Sequence, residues 1–222
     1  MRDFITVAID GAAASGKTST ALRIADKYKF LVASTGSYYR AIALKMMKTN
    51  INSDDISGIQ HFLGKILLET KIIGNVSNIT VDGKSFEEKE LRTQQVNKNV
   101  ASYATIPAVR QRLLSYQRSQ INEARTNGFR GLVMEGRDIT SVILPDADLR
   151  FFLEASAQER LSRRENDWEY DYTAERDKID IGRTIQQNGV HKIDTGTNGL
   201  DVVVAMISAE VDKILSTQGQ DS

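Results

Sequence analysis

Cysteine is absent from the 222 residues, which excludes a disulfide framework and a thiolate metal centre. A reducing cytoplasm is compatible with that composition. There are only two histidines, His61 and His191, and they do not show metal-ligand spacing. Long apolar runs are missing too. Ile5 to Ile9 is the first apolar stretch, and Asp10 ends it far short of the ~20 residues needed to span a bilayer. The first residues, Met1 to Thr6, lack the longer apolar region and cleavage pattern of a signal peptide. Neither sign of charge dominates: 29 basic residues balance 29 acidic ones, and the formal net charge is zero. A global attraction for nucleic acid is therefore not expected, although a local basic pocket is compatible with this balance.

What is present is an alternation of short buried strands and amphipathic helices. Ile5 to Ile9 reads as a buried parallel strand, and Thr18 to Phe30 as a helix. Phe30 to Ala33, Leu132 to Glu135, Leu149 to Leu153 and Val190 to Ile193 read as further strands. Helices are expected over Tyr38 to Met47, Ile59 to Thr70, much of 87–126 with a break near Ile106-Pro107, and Leu200 to Leu215. Ser156 with Glu159 forms a capping-box pattern, and Pro107 suits a first helical turn. Lys71 to Lys84 differs, with β-branched alternation and an Asp82-Gly83 turn pair that predicts a hairpin. Residues 165–190 are polar with little periodicity, which suits a mobile surface segment. The chain therefore reads as one α/β domain: a parallel sheet flanked by helices, with a small antiparallel insertion. Such sheets bind ligands at the carboxyl ends of their strands. The polar groups at Asp10–Thr18, Ser34–Arg40 and Glu135–Asp138 are expected to converge there.

Gly11, Gly16, Lys17 and Thr18 match the pattern G-x-x-x-x-G-K-[ST] between a strand and a helix. Glycine lets successive backbone N–H groups turn toward an anion, and the helix that follows adds its positive end. Gly11, Ala12, Ala13, Ala14, Ser15 and Gly16 would cradle the phosphates of a nucleoside triphosphate, which the family resemblance given below makes ATP. Lys17 would supply charge to the β/γ-phosphates, and Thr18 a hydroxyl to Mg2+. The loop alone does not separate a kinase from a GTPase or an ATP-driven switch. The Asn-Lys-x-Asp motif of GTPases is not found, because Asn97-Lys98-Asn99 is followed by Val100. A kinase also needs an acceptor site, and Arg40, Arg110, Arg137, Arg176 and Arg183 offer planar forks for a second phosphate.

The ordered motifs resemble the bacterial-type cytidylate kinases, a family of nucleoside-monophosphate kinases with the α/β fold of P-loop NTPases. The resemblance rests on Asp10-Gly11 with the loop, Thr35-Gly36 with Tyr39-Arg40, and Leu91-Arg92-Thr93-Gln94-Gln95-Val96. It continues through Pro107 and Val109-Arg110, Glu135-Gly136-Arg137-Asp138, Pro145-Asp146-Ala147, Glu159-Arg160 and Arg163-Arg164. The spacing of Arg176, Asp180 and Arg183 completes it. The resemblance implies ATP-dependent phosphorylation of CMP and dCMP, with Mg2+. It implies a core over about 1–58, 127–160 and 188–222, a CMP-binding insertion over about 59–126, and a lid over about 161–187.

By that resemblance Arg40 and Arg137 grip the CMP phosphate, Arg110 and Asp138 read the cytosine edge, and Thr35 and Tyr39 line the acceptor pocket. Arg176, Asp180 and Arg183 hold ribose and phosphates as the lid closes. Arg160, Arg163 and Arg164 approach ATP. Lys17, Arg137, Arg163, Arg164 and Arg176 are the expected catalytic cations. The expected partners are ATP and CMP or dCMP, with neither nucleic acid nor membrane, for a monomer in the cytoplasm. Several positions depart from the family pattern. Ser34 stands where an Asp is usual, and Ala101 where a serine is expected to touch cytosine. Ile139-Thr140-Ser141 replaces a Gly-Thr pair, and only eleven residues separate Arg164 from Arg176.

Overall fold

A computed structural model describes residues 4–163 and 188–216. Seven strands form one sheet among these residues, in the order β3-β4-β2-β5-β1-β6-β7. The strands are β1 (Ile5–Gly11), β2 (Phe30–Ser34), β3 (Leu68–Ile73), β4 (Val76–Val81), β5 (Gly131–Gly136), β6 (Leu149–Glu154) and β7 (His191–Asp194). Every pairing is parallel except β3 with β4. The helices are α1 (Lys17–Tyr28), α2 (Thr35–Lys48), α3 (Ile56–Lys65), α4 (Glu88–Leu91), α5 (Gln94–Ala104), α6 (Pro107–Thr126), α7 (Ala157–Ser162) and α8 (Leu200–Ser216). A π-helical turn runs over Ile139–Ile143.

The inner strands are mostly apolar because both faces of the sheet are covered. Ile5, Val7, Ile9, Phe30, Val32, Val133, Phe151 and Leu153 pack under α1 and α8. Ala8, Leu31, Ala33, Leu132 and Met134 face α2, α5 and α6 on the other side. Met46 is fully buried in that second cluster. Pro107 opens α6, and Ser156 with Glu159 makes the capping box of α7.

The 59–84 region departs from expectation in two ways. The helix expected to reach Thr70 ends at Lys65, and β3 has begun by Leu68. From Leu68 half-buried and exposed residues alternate, as a strand with one covered face requires. The hairpin turn is Gly74-Asn75, since Ile73 pairs with Val76. Asp82-Gly83 makes a separate tight turn closed by the Val81–Lys84 bridge, with both central φ angles positive (52° and 71°). The hairpin also continues the main sheet: β4 lies parallel to β2, with Val32 opposite Val76 and Ala33 opposite Ser77. Behind it Tyr38 Oη meets Ser77 Oγ at 2.8 Å, and Ser77 donates to Gln120 Oε1 at 2.5 Å. Burial pushes the Tyr116 phenol up to about 12 at the same junction, where its hydroxyl meets Thr70.

Candidate active site

β1 ends at Gly11 and α1 begins at Lys17, so the loop between them opens at the carboxyl edge of the sheet. Gly16, the residue before α1, has φ 87°, a conformation that favours glycine. Ala14 is held left-handed at φ 60°, a strained geometry for a residue with a Cβ. Ser15 is fully buried, and its Oγ finds no hydrogen-bond partner among the described residues. Three cations donate to loop carbonyls: Lys17 Nζ to Ala12 O at 2.6 Å, Arg163 Nη1 to Ala14 O at 3.1 Å, and Arg160 Nη1 to Ala13 O at 3.4 Å. An anion in the loop would compete with those carbonyls for the same donors.

Glu135, 4% exposed at the end of β5, gathers the next strand ends around it. Its Oε1 accepts from Thr18 Oγ1 at 2.9 Å and from Ser34 Oγ at 2.5 Å. Its backbone oxygen accepts from Thr35 Oγ1 at 3.2 Å. A Cβ on Gly136 would run into that Thr35 hydroxyl, so glycine here lets α2 approach β5. Thr18 and Glu135 together are hard oxygen donors of the kind Mg2+ takes.

Asp10 organises the turn after β5. Its carboxylate accepts from Ile139 N at 2.7 Å, Thr140 N at 2.9 Å and Thr140 Oγ1 at 2.5 Å. Burial pushes the Asp10 carboxyl up from its ordinary value, against those hydrogen bonds. The turn it pins begins at Asp138, itself left-handed at φ 57°. Asp138 is 5% exposed and pairs with Arg110 Nη2 at 2.7 Å.

Two cavities meet at the phosphate loop. The first, about 190 Å3, is bounded by Lys17, Thr35, Tyr39, Arg40, Ala101 and Arg137 among others. The second, about 510 Å3, lies between the start of α1, Arg163 and the Thr195–Gly199 loop. Thr195 locks that loop in place: its Oγ1 donates to Ser15 O and Glu154 O, both at 3.1 Å. Arg163 Nη2 donates to Thr195 O at 2.5 Å. The loop residues, Thr35, Tyr39, Arg40 and Arg137 therefore stand together. Arg110 and Asp138 are paired with each other nearby and do not bound the first cavity.

The Cytidylate kinase family model matches residues 7–213. The chain belongs to the cytidylate kinase family. A cytidylate kinase of Pelotomaculum thermopropionicum is 34% identical over 95% of this chain and 97% of its own length. Others, from Chloroherpeton thalassium and Desulforamulus reducens, are 40% and 41% identical. Those two matches cover 72% and 74% of this chain, and 65% and 70% of the relatives. In fold alone, the chain is similar to an unliganded sugar kinase of Janibacter sp. HTCC2649, with TM-score 0.50, 11% identity, and 94% of this chain and 95% of that chain covered.

Within this family member, Arg164, Arg176, Asp180 and Arg183 lie outside the described residues, as do Trp168, Tyr170, Tyr172 and most of the expected lid. His61 and His191 are both exposed, and no metal-holding cluster of His, Cys, Asp and Glu occurs among the described residues. Ser102 is exposed while Ala101 bounds the first cavity, as ~100° per residue requires on one helix. The sequence reading gives no role to Glu135, Arg92, Asn97 or the Thr195–Gly199 loop. Glu135 carried a signal: a carboxylate ending an otherwise apolar strand. The loop carried a weaker one, turn-rich Thr-Gly-Thr-Asn-Gly after the last strand. Asn97 carried none, since it sits mid-helix and accepts from Arg40 Nε at 3.1 Å only through the tertiary fold.

Proposed function

We propose that the chain transfers the γ-phosphoryl group of ATP in line to the phosphate of CMP or dCMP, giving CDP or dCDP. The observation that carries this reading is the meeting of two cavities at Lys17 and Thr18. The larger has room for the donor nucleoside beside Arg163 and the Thr195–Gly199 loop. The smaller has Arg40 and Arg137 for the acceptor phosphate. The core, about 1–58, 127–160 and 188–222, carries the donor. The insertion over about 59–126 closes the acceptor side, and the lid spans about 161–187.

The acceptor phosphate is already an anionic nucleophile, so no general base is required. Its oxygen forms a bond to the γ-phosphorus as the bond to the β-bridging oxygen breaks, and ADP leaves. Catalysis then rests on positioning and charge neutralisation. Lys17 and the N-terminus of α1 hold the β- and γ-phosphates. Arg137, Arg163, Arg164 and Arg176 are assigned to the charge that spreads during transfer. Arg160 flanks the donor. Thr35, Tyr39, Arg40, Asp180 and Arg183 are assigned to the acceptor. Mg2+, when bound, neutralises the β/γ charge, and Thr18 with Glu135 would hold it. Arg110 and Asp138 are assigned to cytosine: a carboxylate accepts from its exocyclic amine, and a guanidinium donates to its ring nitrogen and carbonyl.

No helix of the described residues is long and apolar enough to cross a membrane. As part of the same proposal, the chain acts as a cytoplasmic monomer without a nucleic-acid or membrane partner. Lys17→Ala tests the mechanism. The variant is expected to keep its circular dichroism and to lose CMP-dependent ADP release by roughly 1,000-fold, the loss of a charge made for the transition state. Near-normal turnover would overturn the reading.

A further inference from the structure

We propose that Arg92 is a catalytic residue that contacts the phosphoryl group as it passes from donor to acceptor. The inference rests on the kinase reading above and adds a residue to its machinery. The residues common to both cavities are Ala14, Lys17, Thr18 and Arg92. Three of these belong to the phosphate loop. Arg92 comes from elsewhere, the short link between α4 and α5. It therefore faces the loop from the acceptor side, at the place where the two cavities join.

The backbone of Arg92 is held and its side chain is half exposed. Its N–H donates to Glu88 O at 3.1 Å, and its carbonyl accepts from Asn97 Nδ2 at 3.4 Å. Thr93 caps α5 immediately afterwards, accepting from Val96 N at 3.3 Å. The guanidinium pairs with Glu88 one turn back, with Arg92 50% and Glu88 66% exposed. An exposed pair of that kind holds weakly and exchanges readily for a phosphate, which takes the guanidinium fork in two parallel bonds. Asn97 joins this residue to the acceptor site, because its Oδ1 accepts from Arg40 Nε while its Nδ2 reaches Arg92. One buried amide thus spaces two arginines, Arg40 within the first cavity and Arg92 at the junction. During transfer, negative charge spreads over the equatorial oxygens of the moving group, midway between the sites. A planar cation placed there is stronger in the transition state than with either nucleotide alone.

The test is the single-turnover rate of transfer from ATP to CMP, with KM for each nucleotide, for wild type, Arg92→Lys, Arg92→Ala and Glu88→Ala. Arg92→Ala is expected to slow transfer by roughly 100-fold or more, with each KM changing by less than about fivefold. Arg92→Lys recovers little of that loss, because an ammonium lacks the fork. Glu88→Ala stays within about twofold of wild type, since the ion pair serves no step. Transfer within about threefold of wild type in a folded Arg92→Ala would overturn the inference. So would a Glu88→Ala loss as large as that of Arg92→Ala, which would make the pair structural. Wild-type protein inactive on CMP would instead overturn the kinase reading itself.

Discussion

Arg110 and Asp138 meet end to end, with the arginine Nη2 2.7 Å from Asp138 Oδ2. The other carboxylate oxygen, Asp138 Oδ1, is buried and finds no hydrogen-bond partner among the described residues. One oxygen is thus committed to orienting the pair, and the other remains an acceptor for an amine. Cytosine presents an amine at that edge and uracil a carbonyl, so on the base-recognition role proposed above the pair would favour the first and leave the second mismatched.

Asp138→Asn separates charge from shape. Asparagine tolerates the left-handed φ of 57°, so the turn is retained. The charge-assisted acceptor is lost, and kcat/KM for CMP is expected to fall by roughly 10- to 100-fold. UMP turnover changes less, so the CMP-to-UMP ratio drops. An unchanged ratio would remove Asp138 from base recognition.

Ala101 stands where the family resemblance expects a serine on cytosine. Its side chain bounds the first cavity, one turn after Asn97, whereas Ser102 is exposed. Ala101→Ser places a hydroxyl on the cavity wall and is expected to raise kcat/KM for CMP by about fivefold, the worth of one neutral hydrogen bond. Ser102→Ala is expected to change nothing. The reverse pattern would put the base on another face of α5.

Asp10 yields a pH dependence with a definite sign. Burial raises its folded-state pKa above 3.8, the value of the ordinary carboxyl. Between 3.8 and the raised value, the folded chain keeps a proton that the unfolded chain releases. The resulting stability is complete below that interval and is lost as pH climbs through it. Asparagine cannot titrate. Urea midpoints of wild type and Asp10→Asn, compared from about pH 4 to about pH 7, are therefore expected to shift in favour of the variant as pH rises. A shift toward wild type would mean that the hydrogen bonds from Thr140 and Ile139 outweigh burial.

Much of this was legible in the sequence where the cause was local. Ile5–Ile9 and Leu132–Glu135 announced buried strands because both faces of the sheet are covered. Gly16-Lys17-Thr18 announced the loop, and Ser156 with Glu159 announced a helix start. What stayed hidden depends on distant partners. Leu67 and Leu68 continue an apolar pattern begun at Ile59, and only pairing with β4 makes Leu68 the start of a strand. The addition of the hairpin to the main sheet rests on two residue pairs with β2. The π-helical turn is pinned by Asp10, 129 residues away from Ile139, which accepts from the turn's first two N–H groups. Arg92 was visible as part of a motif, but its place between two cavities exists only in the folded chain.

ADP release measured with CMP, dCMP, UMP, AMP and no acceptor tests the central claim most directly. Rapid release with CMP and dCMP, weaker release with UMP, and little with AMP or without acceptor is the predicted result. Release that does not depend on CMP, or that is equal for every acceptor, would contradict the two-nucleotide account built on Lys17, Arg40 and Arg137.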